Sequence, residues 1–250
     1  MKLPTLPLSL MLVLVCFFSA DAQKRKPNSA TSKLREIGNT ALVIDETLSV
    51  LRVKPSLFAD SLRRLRRARR VQILGSLTAD GVRFYKVAAS QRGVGWIQSD
   101  AVFGKFRPDD ESRFARLIQA TGGFAQIELA TIFLEMYPKS QFRPAILLLY
   151  GDLLEGAAAK LSRDASSRLD RREMAASGAP LHSFYLNFNM LDRYRRLGVR
   201  FLFNGSTRMF HYNGASWKEI VQKYSMARET PEAQKRLDSL KLKIERLTAS

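Results

Sequence analysis

The sequence predicts an α+β chain: a small all-β module near the N-terminus, a helical region after it, and a β-hairpin with closing helices at the C-terminal end. Two changes of texture support this. From Thr40 to about Gly104 the apolar runs are short, rich in β-branched residues and separated by turn signals, as packed antiparallel strands are. From Asp109 onward apolar residues recur at helical spacing, and Gly or Pro closes most runs. With 250 residues, 46% of them hydrophobic, there is chain for one large or two small cores.

Composition excludes several function classes. Forty-one Lys and Arg stand against twenty-three Asp and Glu, a net charge of +18 and a pI near 10.4. Histidine occurs twice, at His182 and His211, and cysteine once, at Cys16. That leaves no residues for a zinc cluster or a disulfide framework. No cofactor motif is present either.

Residues 1–22 predict a secretory signal peptide. Lys2 precedes an apolar run from Leu6 to Phe18, and Ala20-Asp21-Ala22 supplies small residues for cleavage before Gln23. The run falls short of the roughly 20 residues a membrane span needs; retention as an anchor is the alternative. Val15 before Cys16 argues against a lipoprotein signal, which needs a small residue there. Residues 23–40, with Lys24, Arg25, Lys26, Lys33 and Arg35 against Glu36, predict a flexible basic leader. No later stretch is apolar enough to span a membrane.

The β module is expected over 41–104. Ala41 to Ile44, Leu48 to Val53, Val71 to Gly75, Val82 to Ala88, Gly95 to Ile97 and Ala101-Val102 are its strands, with Asp80-Gly81 as a tight turn. Leu48-Ser49-Val50-Leu51-Arg52 with Pro55-Ser56-Leu57 resembles the opening of bacterial SH3-like (SH3b) domains. Leu65-Arg66-Arg67-Ala68-Arg69-Arg70-Val71, Gly81-Val82-Arg83-Phe84-Tyr85-Lys86-Val87 and Gly95-Trp96-Ile97-Gln98 follow that family's later segments in order. Leu51 is an extra residue relative to the pattern, and Ala68 stands where the family has a turn glycine. The resemblance implies a small β-barrel and a module for cell-wall peptide or glycan.

Phe84, Tyr85 and Trp96 are the candidate ligand-binding rings, since a flat ring offers wide contact at low entropy cost. Filling the barrel core is the other use for Phe84 and Trp96. Arg63, Arg64, Arg66, Arg67, Arg69 and Arg70, six arginines in eight positions, are the candidate anion-binding edge. A solvated face is the alternative. Secretion argues against nucleic acid as the partner.

Helices are expected over 109–178. Asp109-Asp110-Glu111 starts the first, where the helix dipole favours negative charge. Gly122-Gly123 ends it, Pro138 ends the second, and Pro144 opens a third. Leu161, Ala165 and Leu169 mark a fourth, ended by Gly178-Ala179-Pro180. The stretch Ala130 to Ala145, with its Tyr137-Pro138 turn, is similar to tetratricopeptide-type hairpins, which implies a groove for a protein partner.

Over 179–250 the pattern gives a helical stripe to Gly198, a hairpin turning at Asn204-Gly205, and helices from Ser216 and Thr230. Ser216-Trp217-Lys218-Glu219 reads as a capping box. These elements are expected to pack on the helical region.

No nucleophile motif or metal-protease motif occurs. Asp152 and Glu155 share one helix face, and His211 sits beside Tyr212 without a nameable catalytic partner. The expectation is an exported, periplasmic or cell-surface protein without catalytic activity, binding peptidoglycan or another anionic envelope component and a protein partner. Rival readings are a purely protein-binding adaptor and a wall-modifying hydrolase.

Overall fold

A computed structural model of the chain describes residues 36–89 and 93–245. The expected signal peptide and most of the expected leader lie outside them. Along the described chain come seven strands, then helices, then a two-stranded hairpin between helices.

The strands are β1 (Thr40–Val43), β2 (Val50–Arg52), β3 (Ser61–Arg64), β4 (Arg70–Ala79), β5 (Val82–Ala88), β6 (Val94–Gln98) and β7 (Val102–Phe103). They form one antiparallel sheet in the order β3-β2-β6-β5-β4-β1-β7. The first and last strands pair, Leu42 opposite Phe103, and β4-β5-β6 is a meander. Among the described residues β3 and β7 are the two edges of this sheet, so the β module stands as one seven-stranded antiparallel sheet. Alternation places Leu51, Val71, Ile73, Tyr85, Val87 and Ile97 on one buried face.

The fold also begins earlier than residue 41. Gly38 donates its amide to the Ile73 carbonyl at 2.8 Å, and Ile73 returns the bond to Asn39 at 2.9 Å. Glu36, nearly buried, pairs with Arg83. The segment 61–64, of which only Arg63 and Arg64 belong to the arginine run read from sequence, is the edge strand β3, wholly exposed.

The helices are α1 (Asp110–Ala120), α2 (Gly123–Met136), α3 (Arg143–Arg168), α4 (Arg171–Ser177), α5 (Leu181–Leu186), α6 (Asp192–Arg195), α7 (Ala215–Lys223) and α8 (Thr230–Glu245). The third and fourth expected helices are one, α3, which runs through Gly156. Between α6 and α7 lies the hairpin of β8 (Leu202–Asn204) and β9 (Met209–His211). Its loop is longer than the Asn-Gly turn suggested: residues 205–208 lie between the strands, and Asn204 Oδ1 accepts the Thr207 amide at 2.9 Å.

The described residues pack as one unit. Ile44, just after β1, and Phe103 of β7 share a core with Phe114, Ile118, Leu129 and Phe133 of α1 and α2. The rings of Phe103, Phe114, Phe133 and Tyr137 follow one another at 5.3–5.4 Å between centroids. A second helical core joins Leu154, Ala158 and Leu161 of α3 to Phe210, Trp217, Ile220 and Leu240. Through Leu237, Leu240 and Ile244, α8 packs into this second core. No described helix is long and apolar enough to cross a membrane.

Candidate functional site

Register decides which of the predicted aromatic residues can meet a ligand. On β5 and β6, Tyr85 stands opposite Ile97, both on the core face, and Tyr85 is fully buried. Burial pushes its phenol up to about 12, with Arg107, Glu36 and Arg83 around it. The Arg83 and Arg107 guanidinium groups lie 5.5 and 5.8 Å from its ring centroid. It is therefore a protonated core residue at neutral pH, not a groove residue. Phe84 lies on the opposite face, across from Gln98, yet it too is fully buried. At that end of the strand the loop over residues 53–60 is tied down, since Asp80 accepts Ser56 Oγ at 2.6 Å and the Leu57 amide at 2.8 Å. Phe84 and Tyr85, two of the three candidate ligand-binding rings, are thus both core residues in this fold.

Trp96 differs. Its neighbour Ile97 points into the core, so Trp96 faces outward and is part-exposed. Directly across from it stand Lys86 on β5 and Arg52 on β2. Lys86 is exposed; Arg52 is half-buried and donates Nη1 to the Ala59 carbonyl at 2.7 Å. Cross-strand neighbours lie about 5 Å apart, so the sheet presents a cation, an indole and a cation in one row. Val94, two residues before Trp96 on the same face, is exposed. Gly95 keeps the strands close beneath: a Cβ there would lie 2.8 Å from the Arg52 carbonyl oxygen and 2.8 Å from Leu51.

The six arginines divide. Arg67 is half-buried and clamps the sheet to α2, its Nη1 2.7 Å from Glu128 Oε2, while its amide donates to Glu46 at 2.7 Å. Arg69 donates Nε and Nη2 to the Ala89 carbonyl at 3.0 and 2.7 Å. Arg64 reaches the Glu46 and Thr47 carbonyls. Arg63 and Arg64 lie on exposed β3, and Arg66 and Arg70 are exposed in the turn and at the start of β4. Arg67 is a structural residue; the others keep their charge at the surface.

The acidic start of α1 also acts otherwise than by the dipole alone. Asp110 is fully buried and accepts the Gly104 amide and Arg107 Nε, both at 2.8 Å. Burial raises its carboxyl above the ordinary range against the pull of Arg107. Arg107 meanwhile donates Nη1 to the Ser99 carbonyl at 3.1 Å, so this pair pins α1 to the end of the sheet.

The carboxylates weighed as catalytic are structural joints. Asp152 pairs with Arg236 at 3.0 Å. Glu155 meets His211 Nδ1 at 3.2 Å, Lys243 Nζ at 2.9 Å and the Tyr212 amide at 2.9 Å, tying α3 to β9 and α8. Sequence reading paired neither His211 nor Lys243 with Glu155, because 56 and 88 residues separate them from it. Among the described residues no group of three or more His, Cys, Asp or Glu could hold a metal ion.

Comparison with known proteins returns no matching family model, no similar curated protein and no similar solved structure.

Proposed function

We propose that this is an exported, non-catalytic binding protein of the bacterial cell envelope, periplasmic or cell-surface. In this reading its SH3-like sheet holds an anionic wall component, with peptidoglycan the leading candidate, and its helical region contacts a protein partner. The N-terminal segment motivates the location, and the four SH3-like segments motivate the class of module. The β4-β5-β6 meander and the pairing of first with last strand support that class.

The observation that carries the binding half is the row Arg52, Trp96, Lys86. An indole face covers the apolar face of a sugar ring, and flanking cations pair with its carboxylates. The exposed arginines near β3 and the net charge of +18 add a long-range attraction that salt weakens.

The test is retention of the purified protein on peptidoglycan over a salt series, with Trp96→Ala beside the wild type. Retention that falls with salt, and that drops about tenfold or more in Trp96→Ala, is expected. No retention even at low salt overturns the wall-binding reading. Salt-insensitive capture of one polypeptide instead would favour a protein-only adaptor.

A further inference from the structure

A cavity of about 280 Å³ opens between β1 and the C-terminal half of α2. Ala41 and Leu42 from β1, Phe106 from the connection after β7, and Ile132 and Met136 from α2 line it with apolar atoms. Three charged side chains stand around it: Arg70, Lys105 and Glu135. All three are exposed, and none is ion-paired among the described residues.

The geometry of α2 explains why. Glu128 and Glu135 are seven residues apart, so they lie on one helix face separated by about 10 Å along the axis. At Glu128 the helix closes on the sheet through the 2.7 Å pair with Arg67. Two turns later the same face meets the sheet across an open space, with Arg70 and Lys105 on its rim and Glu135 on the helix.

We propose that this cavity binds a small zwitterion, an amino acid or dipeptide with an apolar side chain. Its carboxylate lies toward Arg70 and Lys105, its ammonium toward Glu135, and its side chain against Phe106, Ile132 and Met136. Other ligand classes fit less well. A dianion meets the Glu135 carboxylate, a simple cation meets two positive groups, and an uncharged apolar molecule would desolvate three charges without compensation. The volume, about 280 Å³, falls just below the usual range for small-molecule sites, about 300–1,000 Å³, which leaves room for a compact ligand and excludes an oligosaccharide. The cavity shares no residue with the Trp96 row, so this proposal stands or falls apart from the wall-binding reading.

The test uses the full chain and the dipeptide Leu-Leu, its N-acetyl form and its C-terminal amide, followed by the methyl resonances of Ile132 and Met136. Saturable shifts with the free dipeptide are expected. Each blocked form should bind about fivefold more weakly, as loss of one charge pair implies. Glu135→Gln should weaken the free dipeptide and erase its advantage over the acetyl form. Arg70→Gln combined with Lys105→Gln should erase its advantage over the amide. These are exposed side chains, so the variants keep the fold. Absence of saturable shifts with Leu-Leu, or equal binding of all three forms by the wild type, overturns the proposal.

Discussion

Gly151 of α3 faces the indole of Trp217 on α7 so closely that a methyl group has no place between them. A Cβ at Gly151 would sit 2.3 Å from Trp217 Nε1 and 2.6 Å from Ser216 Oγ. Trp217 is fully buried and cannot yield without moving its helix. On an exposed helix, Gly→Ala stabilises by about 1 kcal/mol. Here the crowding reverses the sign, and Gly151→Ala is expected to cost about 1–3 kcal/mol. Chemical denaturation followed by tryptophan fluorescence reads the outcome; a variant more stable than wild type would mean that the two helices slide apart freely.

Ala68 carries the opposite opportunity. It has φ +62°, in the left-handed region, where a side chain costs roughly 1–2 kcal/mol. The turn needs that conformation, since the Ala68 amide donates to the Val43 carbonyl at 2.9 Å. Ala68→Gly should raise stability by about 0.5–1 kcal/mol after the added freedom of the unfolded chain is subtracted. A fall in the denaturation midpoint would show that the methyl group makes packing contacts worth more than the strain.

The same turn shows what could be read in advance. The glycine expected at position 68 from the SH3-like pattern marks the backbone geometry that the alanine adopts. Asp80-Gly81 likewise predicted a tight turn, and both residues have positive φ, +51° and +70°. The strand β3 escaped notice because Ser61-Leu62-Arg63-Arg64 has no buried side, and alternation is visible only where one face is hidden. Tyr85 reads from sequence as a candidate ligand-binding ring for the contact a flat ring offers; strand register sets it opposite Ile97 on the core face instead. The capping box at Ser216 gave way to tertiary contacts: Tyr212 Oη accepts the Ser216 amide at 2.7 Å, and Glu219 pairs with Arg143 at 2.9 Å. The charged cavity joins β1, β4, the loop after β7 and α2, and no local pattern encodes such a meeting.

The joint at Glu155 makes stability depend on pH. Burial by itself would raise this carboxyl, but the Tyr212 amide, Lys243 and His211 together outweigh burial and hold it below the ordinary 4.5. A carboxylate whose folded value is depressed contributes stability above the unfolded value and loses it as pH falls through the folded one. Acidification below about 4.5 should therefore loosen β9 and α8 from α3. Asp80 and Glu232 are also depressed, so the difference between variants is the informative quantity. Glu155→Gln is expected to be less stable than wild type at neutral pH and to lose less on acidification, because the proton it would bind has no site. Denaturant midpoints for both proteins from pH 7 down to about pH 3 measure this. Parallel curves for wild type and Glu155→Gln would show that the Lys243 and His211 contacts contribute nothing that depends on the charge.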